Sequence, residues 1–211
     1  MRASRPAPTA RSRTATSSSS PLTDDWLRAV LATPGLTGLR DEAEARTMLV
    51  EDALRATDLV RSFDGPIVDV GSGGGSPGIP LALALPDREV TLLEASRRKC
   101  DFLERWAPQN ARVLWGRAEE QEADSYGVAL AKALAQPPVA AELCLSLVRP
   151  GGAAILWVGA SADLSVVARV SSLLGGDVPE ERDGLVVIRK LAPTPPGFPR
   201  RAGMPKKRPL V

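Results

Sequence analysis

The stretch VDVGSGGGSPGIP (residues 68–80) joins a predicted strand to a predicted helix through a cluster of glycines. A glycine residue accepts positive φ and has no Cβ, so a ligand can come close to the backbone there. In open α/β sheets, ligands bind at the carboxyl ends of the strands, where a strand turns into the next helix. The stretch therefore predicts a ligand site formed by Gly71, Gly73 and Gly75.

Beyond this loop, short β-branched runs alternate with helical patterns. The predicted strands are 66–70, 89–95, 111–117, 126–133, 152–159 and 184–191. One predicted helix follows the glycine loop and ends at residue 85, and the others cover 97–107, 138–148 and 162–174. Alternation of this kind requires crossover connections, which join parallel strands. We therefore predict an α/β fold with a mostly parallel sheet and helices on both faces.

Two helices are predicted before the first strand. The first covers 23–32 with Thr23 as its cap, and the second is one long helix over 40–60, with Asp41 and Glu44 spaced as in a capping box. These patterns divide the chain into four predicted segments: a disordered basic tail (1–20), an N-terminal helical extension (21–62), a ligand-binding domain (63–191) and a basic, proline-rich C-terminal tail (192–211).

Composition excludes several classes of protein. The chain has 211 residues, 44% of them hydrophobic, which suits one domain with extensions, and it contains no apolar run long enough for a membrane span. Two cysteines without metal-like spacing and no signal peptide predict a reduced, cytoplasmic protein. The absence of histidine removes the commonest general base and most zinc sites, so we predict no metal.

The charge is unevenly distributed, although the net value is only +2. Residues 1–20 hold four arginines and no acid, and residues 198–211 hold five basic residues and no acid. Basic ends favour a polyanionic partner, because each phosphate contact releases counterions.

Two cofactors compete for the glycine loop. Gly73, Gly75 and Gly78 spell G-x-G-x-x-G, a pattern of dinucleotide sites that is weak by itself. Asp69 before the first glycine favours S-adenosylmethionine, since a carboxylate there can hold the loop and the amino group of the cofactor. Glu94 at the end of the second strand suits the ribose of either cofactor, and GRAEE (116–120) adds an acid near the adenine pocket.

At this level of detail the sequence resembles the RsmG (GidB) family of 16S ribosomal RNA guanine-N7 methyltransferases. The resemblance rests on VDVGSGGGSPGIPLALALPDREVTLLEASRRKCDFLE, on GRAEE, VALAKALA and GLTGLRDEAEARTMLVEDAL, and on the ending PTPPGFPRRAGMPKKRPL. It covers about residues 35–211. It implies a class I S-adenosylmethionine-dependent methyltransferase, Rossmann-like, with a short N-terminal helical extension.

The resemblance also implies roles for individual residues. The cofactor, S-adenosyl-L-methionine, is expected to contact Asp69, Gly71, Gly73, Gly75, Ser76, Glu94, Ala118, Glu119 and Lys132. Lys132 is the expected catalytic residue, because the family has an arginine there. The expected partner is 16S ribosomal RNA or the small ribosomal subunit, bound by a monomer through Arg97, Arg98, Arg200, Arg201, Lys206, Lys207 and Arg208.

Methylation of N7 suits a chain without histidine, because this nitrogen has a free lone pair and needs no deprotonation. Carbon-5 methylation needs a cysteine nucleophile, usually after a proline, and neither cysteine follows one.

Two alternatives stay open. Met48, Leu49, Lys132 and Val158 depart from the family pattern, which would suit a relative that binds cofactor or RNA without transferring methyl. A small-molecule methyltransferase is the other, since a fold does not determine its substrate.

Overall fold

The computed structural model describes residues 20–159 and 162–211, so nearly all of the predicted N-terminal tail lies outside the described residues. The helices are α1 (Pro21–Ala32), α2 (Glu42–Arg46), α3 (Asp52–Leu54), α4 (Thr57–Arg61), α5 (Gly78–Ala84), α6 (Arg97–Trp106), α7 (Pro137–Leu145), α8 (Leu164–Leu173) and α9 (Met204–Lys207). The strands are β1 (Ile67–Val70), β2 (Val90–Glu94), β3 (Ala111–Trp115), β4 (Tyr126–Lys132), β5 (Val148–Trp157), β6 (Glu180–Arg182) and β7 (Leu185–Arg189).

The described strands form one sheet in the order β3-β2-β1-β4-β5-β7-β6. Strands β1 to β5 are parallel, whereas β7 is antiparallel to β5 and β6 is antiparallel to β7. The strand order reverses between β1 and β4, and such a switch point leaves a crevice at the carboxyl ends of the strands. The predicted mostly parallel sheet is confirmed.

Two apolar cores cover the two faces of the sheet, because strand residues alternate in direction. One core packs Ile67 and Leu130 against α1, α5 and α6. The other packs Val68 and Ala129 against α7 and α8. Helices therefore lie on both faces, as predicted, and α1 to α4 share a core with the sheet.

The structure differs from the predicted N-terminal helices in two places. Helix α1 begins at Pro21, and its cap is Ser20, whose side chain accepts a hydrogen bond from the Thr23 backbone N–H at 3.2 Å. The predicted single helix over 40–60 is wrong, since a π-helical turn (Thr47–Glu51) separates α2 from α3. Asp41 does cap α2, accepting from the Glu44 backbone N–H at 2.8 Å.

The C-terminal segment packs against the domain. Phe198, Leu210 and Val211 contact the core on the α7 side of the sheet. The short helix α9 and the strand β6 were not predicted, because they are brief and rich in charge. None of the described helices is long and apolar enough to cross a membrane.

Candidate active site

Two adjoining clefts open at the carboxyl ends of β1, β2 and β4. The first, of about 230 Å³, has Glu94, Ala118 and Glu119 among its lining residues. The second, of about 280 Å³, is lined by the glycine loop, by Lys132 and by apolar side chains of α1 and the following turn. Both clefts share Gly71 in their walls, so one elongated ligand could occupy both.

The glycine loop, where the sequence predicted a ligand site, lies between the two clefts. Gly73 has φ of +56°, and the nearest heavy atom to a Cβ built there is 3.8 Å away, so this position opens into the second cleft. Gly75 has φ of +106° and packs against Ile79. Ser76 lines the second cleft and donates its hydroxyl to the Leu49 carbonyl at 2.8 Å.

Glu94 holds the loop from the end of β2. Its Oε2 accepts from the Gly73 N–H at 2.9 Å and its Oε1 accepts from the Ser96 N–H at 2.8 Å. The side chain is mostly buried yet lines the first cleft. Because each carboxylate oxygen has two lone pairs, Glu94 can still accept hydrogen bonds from a ligand.

Removing this carboxylate should weaken ligand binding. We expect Glu94→Ala to weaken the binding of S-adenosylhomocysteine by about 1–3 kcal/mol, since polar groups of loop and ligand lose their acceptor. Isothermal titration calorimetry would measure the change, with Glu181→Ala on the exposed β6 strand as control. An affinity equal to that of the control would show that Glu94 does not contact the cofactor.

Asp69 acts on the loop from behind. It is almost fully buried, and its Oδ2 accepts from the Gly78 N–H at 3.1 Å, at the start of α5. It is absent from the linings of both clefts, and its side chain interacts with the Ser72 side chain as well as with Gly78. Burial raises the pKa of Asp69 from 3.8 to about 7.

This raised pKa has a consequence for stability. Between pH about 4 and about 7 the folded chain keeps a proton on Asp69 that the unfolded chain releases. The contribution of Asp69 to the free energy of unfolding is therefore complete below pH about 4 and is lost as the pH rises through 7. In the natural sequence, Asp69 should make the free energy of unfolding fall by up to about 4 kcal/mol over this pH range. Asp69→Asn has no titrating group there, so this part of the fall should be missing from the variant. Urea denaturation at several pH values would test it, and equal pH dependence in both proteins would contradict it.

The far wall of the first cleft includes the C-terminal segment. Ala118 and Glu119, which were predicted to lie near the adenine, line this cleft from a single 3-10 turn. Glu119 Oε1 accepts from the Gly203 N–H at 2.9 Å, and Lys206 also lines the cleft. The C-terminal segment thus completes a site that the sequence placed mainly on the strands.

Lys132 ends β4 beside the second cleft, where its ammonium pairs with Asp52 Oδ2 at 2.5 Å and donates to the Met48 carbonyl. Both partners lie in or next to the π-helical turn. The indole N–H of Trp157 in turn donates to the Asp52 carbonyl at 3.2 Å. The broken helix therefore supports the one cation expected to act in catalysis.

The predicted RNA contacts fall into two groups. Arg97 is exposed, whereas Arg98 donates to the Pro34 carbonyl at 2.9 Å and so ties α6 to the turn after α1. Arg200 differs from expectation, because its guanidinium forms two hydrogen bonds of 2.6 Å with the buried carboxylate of Glu142. We therefore leave Arg200 out of the RNA contacts, while Arg201, Lys206, Lys207 and Arg208 remain exposed.

Lys99 is a charged cleft residue that the sequence reasoning missed. It lines both clefts, and no hydrogen bond or ion pair involves its ammonium among the described residues. A signal was available, since Lys99 is three and four positions before Phe102 and Leu103, which face the core on the same side of α6. Asp52 carried no such signal, because the π-helical turn sets its direction.

Comparison with known proteins decides the family. The model of the family described as GidB, rRNA small subunit methyltransferase G, matches residues 26–173. The chain belongs to this family. A Ribosomal RNA small subunit methyltransferase G from Rubrobacter xylanophilus is 40% identical over 199 residues, covering 79% of this chain and 75% of that protein. One from a Synechococcus strain is 36% identical over 205 residues, covering 84% and 79%. The predicted RsmG (GidB) membership and methyltransferase class are confirmed.

Solved structures support the fold. Human N-acetylserotonin methyltransferase, in complex with S-adenosylmethionine, matches 80% of this chain and 56% of its own with a TM-score of 0.57 at 12% identity. An S-adenosylmethionine-dependent O-methyltransferase from Thermotoga maritima matches 67% and 65%, with a TM-score of 0.53 at 11% identity. At these identities the likeness concerns the fold alone, and it confirms the class I methyltransferase architecture.

Proposed function

We propose that this member of the RsmG (GidB) family transfers a methyl group from S-adenosylmethionine to N7 of a guanine in 16S ribosomal RNA. The observation that carries the proposal is the pair of clefts that meet at Gly71, with the Glu94 carboxylate in one and Lys132 in the other. We further propose that the protein acts as a monomer in the cytoplasm, on the RNA or on the small ribosomal subunit.

The residues of the clefts fit the cofactor. Gly73 leaves open the space that any other residue would fill, and Glu94 has lone pairs to accept the ribose hydroxyls. Ala118 and Glu119 line the part of the first cleft that would hold the adenine ring. When bound, S-adenosylmethionine supplies an electrophilic methyl group on a positively charged sulfur. No cluster of three or more potential metal ligands occurs among residues 20–159 and 162–211.

The second cleft supports acceptance of a purine. Trp26, Val30, Leu36 and Leu49 give it an apolar wall that would cover a planar base and exclude water. Because guanine N7 attacks with its own lone pair, the protein needs to align the base rather than remove a proton. Proximity and orientation provide most of the acceleration in such a reaction.

We place Lys132 next to the reacting groups, where its ammonium would orient the carboxylate of the cofactor or the guanine. Lys132→Ala is expected to lower kcat by about a hundredfold, the cost of losing one positioned charge, with little change in KM for RNA. Lys207→Ala, on the exposed face of α9, should show the reverse pattern. Steady-state kinetics would separate the two, and an unchanged kcat would remove Lys132 from catalysis.

The direct test is methyl transfer itself. Purified protein, labelled S-adenosylmethionine and 16S ribosomal RNA, either free or in small subunits from cells lacking the gene, should yield N7-methylguanine at one position by mass spectrometry. Binding of S-adenosylhomocysteine without methyl transfer to either form of the RNA would favour the first alternative, a family member that binds cofactor or RNA without transferring methyl. Transfer to a small molecule and not to RNA would favour the other alternative.

A further inference from the structure

Trp115 is an exposed aromatic residue beside the active site. It ends β3, at the same edge of the sheet as the glycine loop, and 60% of its surface is exposed. The other aromatic side chains of the described residues are buried or half-buried. An exposed indole at the edge of a ligand cleft offers a partner a flat apolar face, which is why tryptophan is enriched at interfaces.

The indole is held in one orientation. Its N–H donates to the Ala95 carbonyl at 3.1 Å, and Ala95 lines the first cleft. The guanidinium of Arg97 lies over the ring, 5.3 Å from its centre, and is itself paired with Asp101 at 3.2 Å. The ring and the guanidinium are therefore preorganised, with little flexibility to lose on binding a partner.

Three cations lie close to this ring. Arg97, Lys99 and Arg117 lie beside it or in the adjoining cleft. Acids are present as well: Asp101 pairs with Arg97, and Glu120 accepts from the Arg117 backbone N–H at 3.0 Å. Glu94 and Glu119 in the adjoining cleft accept from the backbone N–H groups of Gly73 and Gly203. A flat aromatic surface among cations is the combination that binds unpaired bases of RNA, by stacking on the ring and by charge toward the backbone.

We propose that Trp115 and Arg97 form a stacking platform for one unpaired nucleobase that flanks the target guanine. This inference rests on the proposed function, since it names a contact of the same RNA. The platform holds a base outside the cofactor cleft, and so positions the strand while the neighbouring guanine enters the second cleft. Trp115 would not contact the cofactor.

The affinity of short single-stranded RNA tests the platform. The probe is a segment of unmodified 16S ribosomal RNA that contains the target guanine found by mass spectrometry in the methyl-transfer assay. 2-Aminopurine replaces each flanking base in turn. Trp115→Ala should weaken binding about tenfold or more, the loss of one stacked base, and Trp115→Phe should restore most of it. Leu191→Ala, which removes a side chain of similar exposure beyond β7, is the matched control and should change nothing.

Salt dependence separates the two residues of the platform. Trp115→Ala should leave the slope of affinity against salt unchanged, because stacking releases no counterions, whereas Arg97→Gln should reduce it by about one. Arg61→Gln, on a similarly exposed arginine paired within its own helix at the opposite edge, should leave the slope unchanged. In the wild type, 2-aminopurine fluorescence should be quenched at one flanking position and recover in Trp115→Ala.

The outcomes distinguish this inference from the proposed function. If wild-type protein methylates the RNA and Trp115→Ala binds it equally well, the platform is overturned and the proposed function stands. If Trp115→Ala weakens S-adenosylhomocysteine binding instead, Trp115 supports the cofactor cleft and the platform is again overturned. If the wild type neither binds nor methylates RNA, both are overturned.

Discussion

Replacing Gly73 by valine is expected to abolish binding of S-adenosylmethionine and S-adenosylhomocysteine. A Cβ at this position would meet no protein atom closer than 3.8 Å, so the added side chain would project into the second cleft. The φ of +56° adds backbone strain, which is highest for a β-branched residue. Loss of binding would therefore come from the space that the ligand needs, together with distortion of the loop.

A control can separate these two causes. Gly151 also has positive φ, +87°, with nothing within 4 Å of a Cβ, and it lies far from the clefts in the strand β5. Gly151→Val should therefore share the strain and keep its affinity for S-adenosylhomocysteine. Calorimetry on both variants measures this, with NAD titrated in parallel. Normal binding by Gly73→Val, or binding of NAD alone by the wild type, would contradict the cofactor assignment.

Much of this site follows from local sequence patterns. The strand that precedes the loop is short and β-branched, Gly71 and Gly73 both adopt positive φ, and Glu94 closes the next strand. Each of these features depends on a few neighbouring residues. Parallel strands place their carboxyl ends at one edge of the sheet, so the loop and the acid come together there. For this reason the loop, the acid and the mostly parallel sheet could be predicted, whereas the order of the strands was not.

The other features depend on contacts between distant parts of the chain. The π-helical turn inside the predicted helix coincides with two carbonyls, of Met48 and Leu49, that accept hydrogen bonds from Lys132 and Ser76. π-Helical turns often occur at functional sites, and helical periodicity cannot reveal one. The C-terminal segment is a second case, because its basic residues were all expected to contact RNA, whereas Arg200 pairs with the buried Glu142 on α7.

That ion pair leads to the largest expected effect on stability. Glu142 has only 3% of its side chain exposed, and Arg200 supplies two of its hydrogen bonds. We expect Arg200→Ala to lower the free energy of unfolding by about 3–5 kcal/mol, because a buried carboxylate would lose its charge partner. Replacing both residues by leucine should recover much of the loss. Arg182→Ala breaks an exposed pair with Glu180 and should cost about 1 kcal/mol or less.

The same variant tests whether the C-terminal segment serves the cofactor site. Arg200 also donates to the Arg208 carbonyl at 2.9 Å, so it fastens both ends of the stretch that carries Gly203 and Lys206 to the first cleft. Arg200→Ala should therefore weaken S-adenosylhomocysteine binding, although Arg200 itself does not line either cleft. Urea denaturation and calorimetry on the two arginine variants measure both effects. If Arg200→Ala instead matches Arg182→Ala in stability and only reduces the salt dependence of RNA binding, Arg200 belongs with the RNA contacts after all.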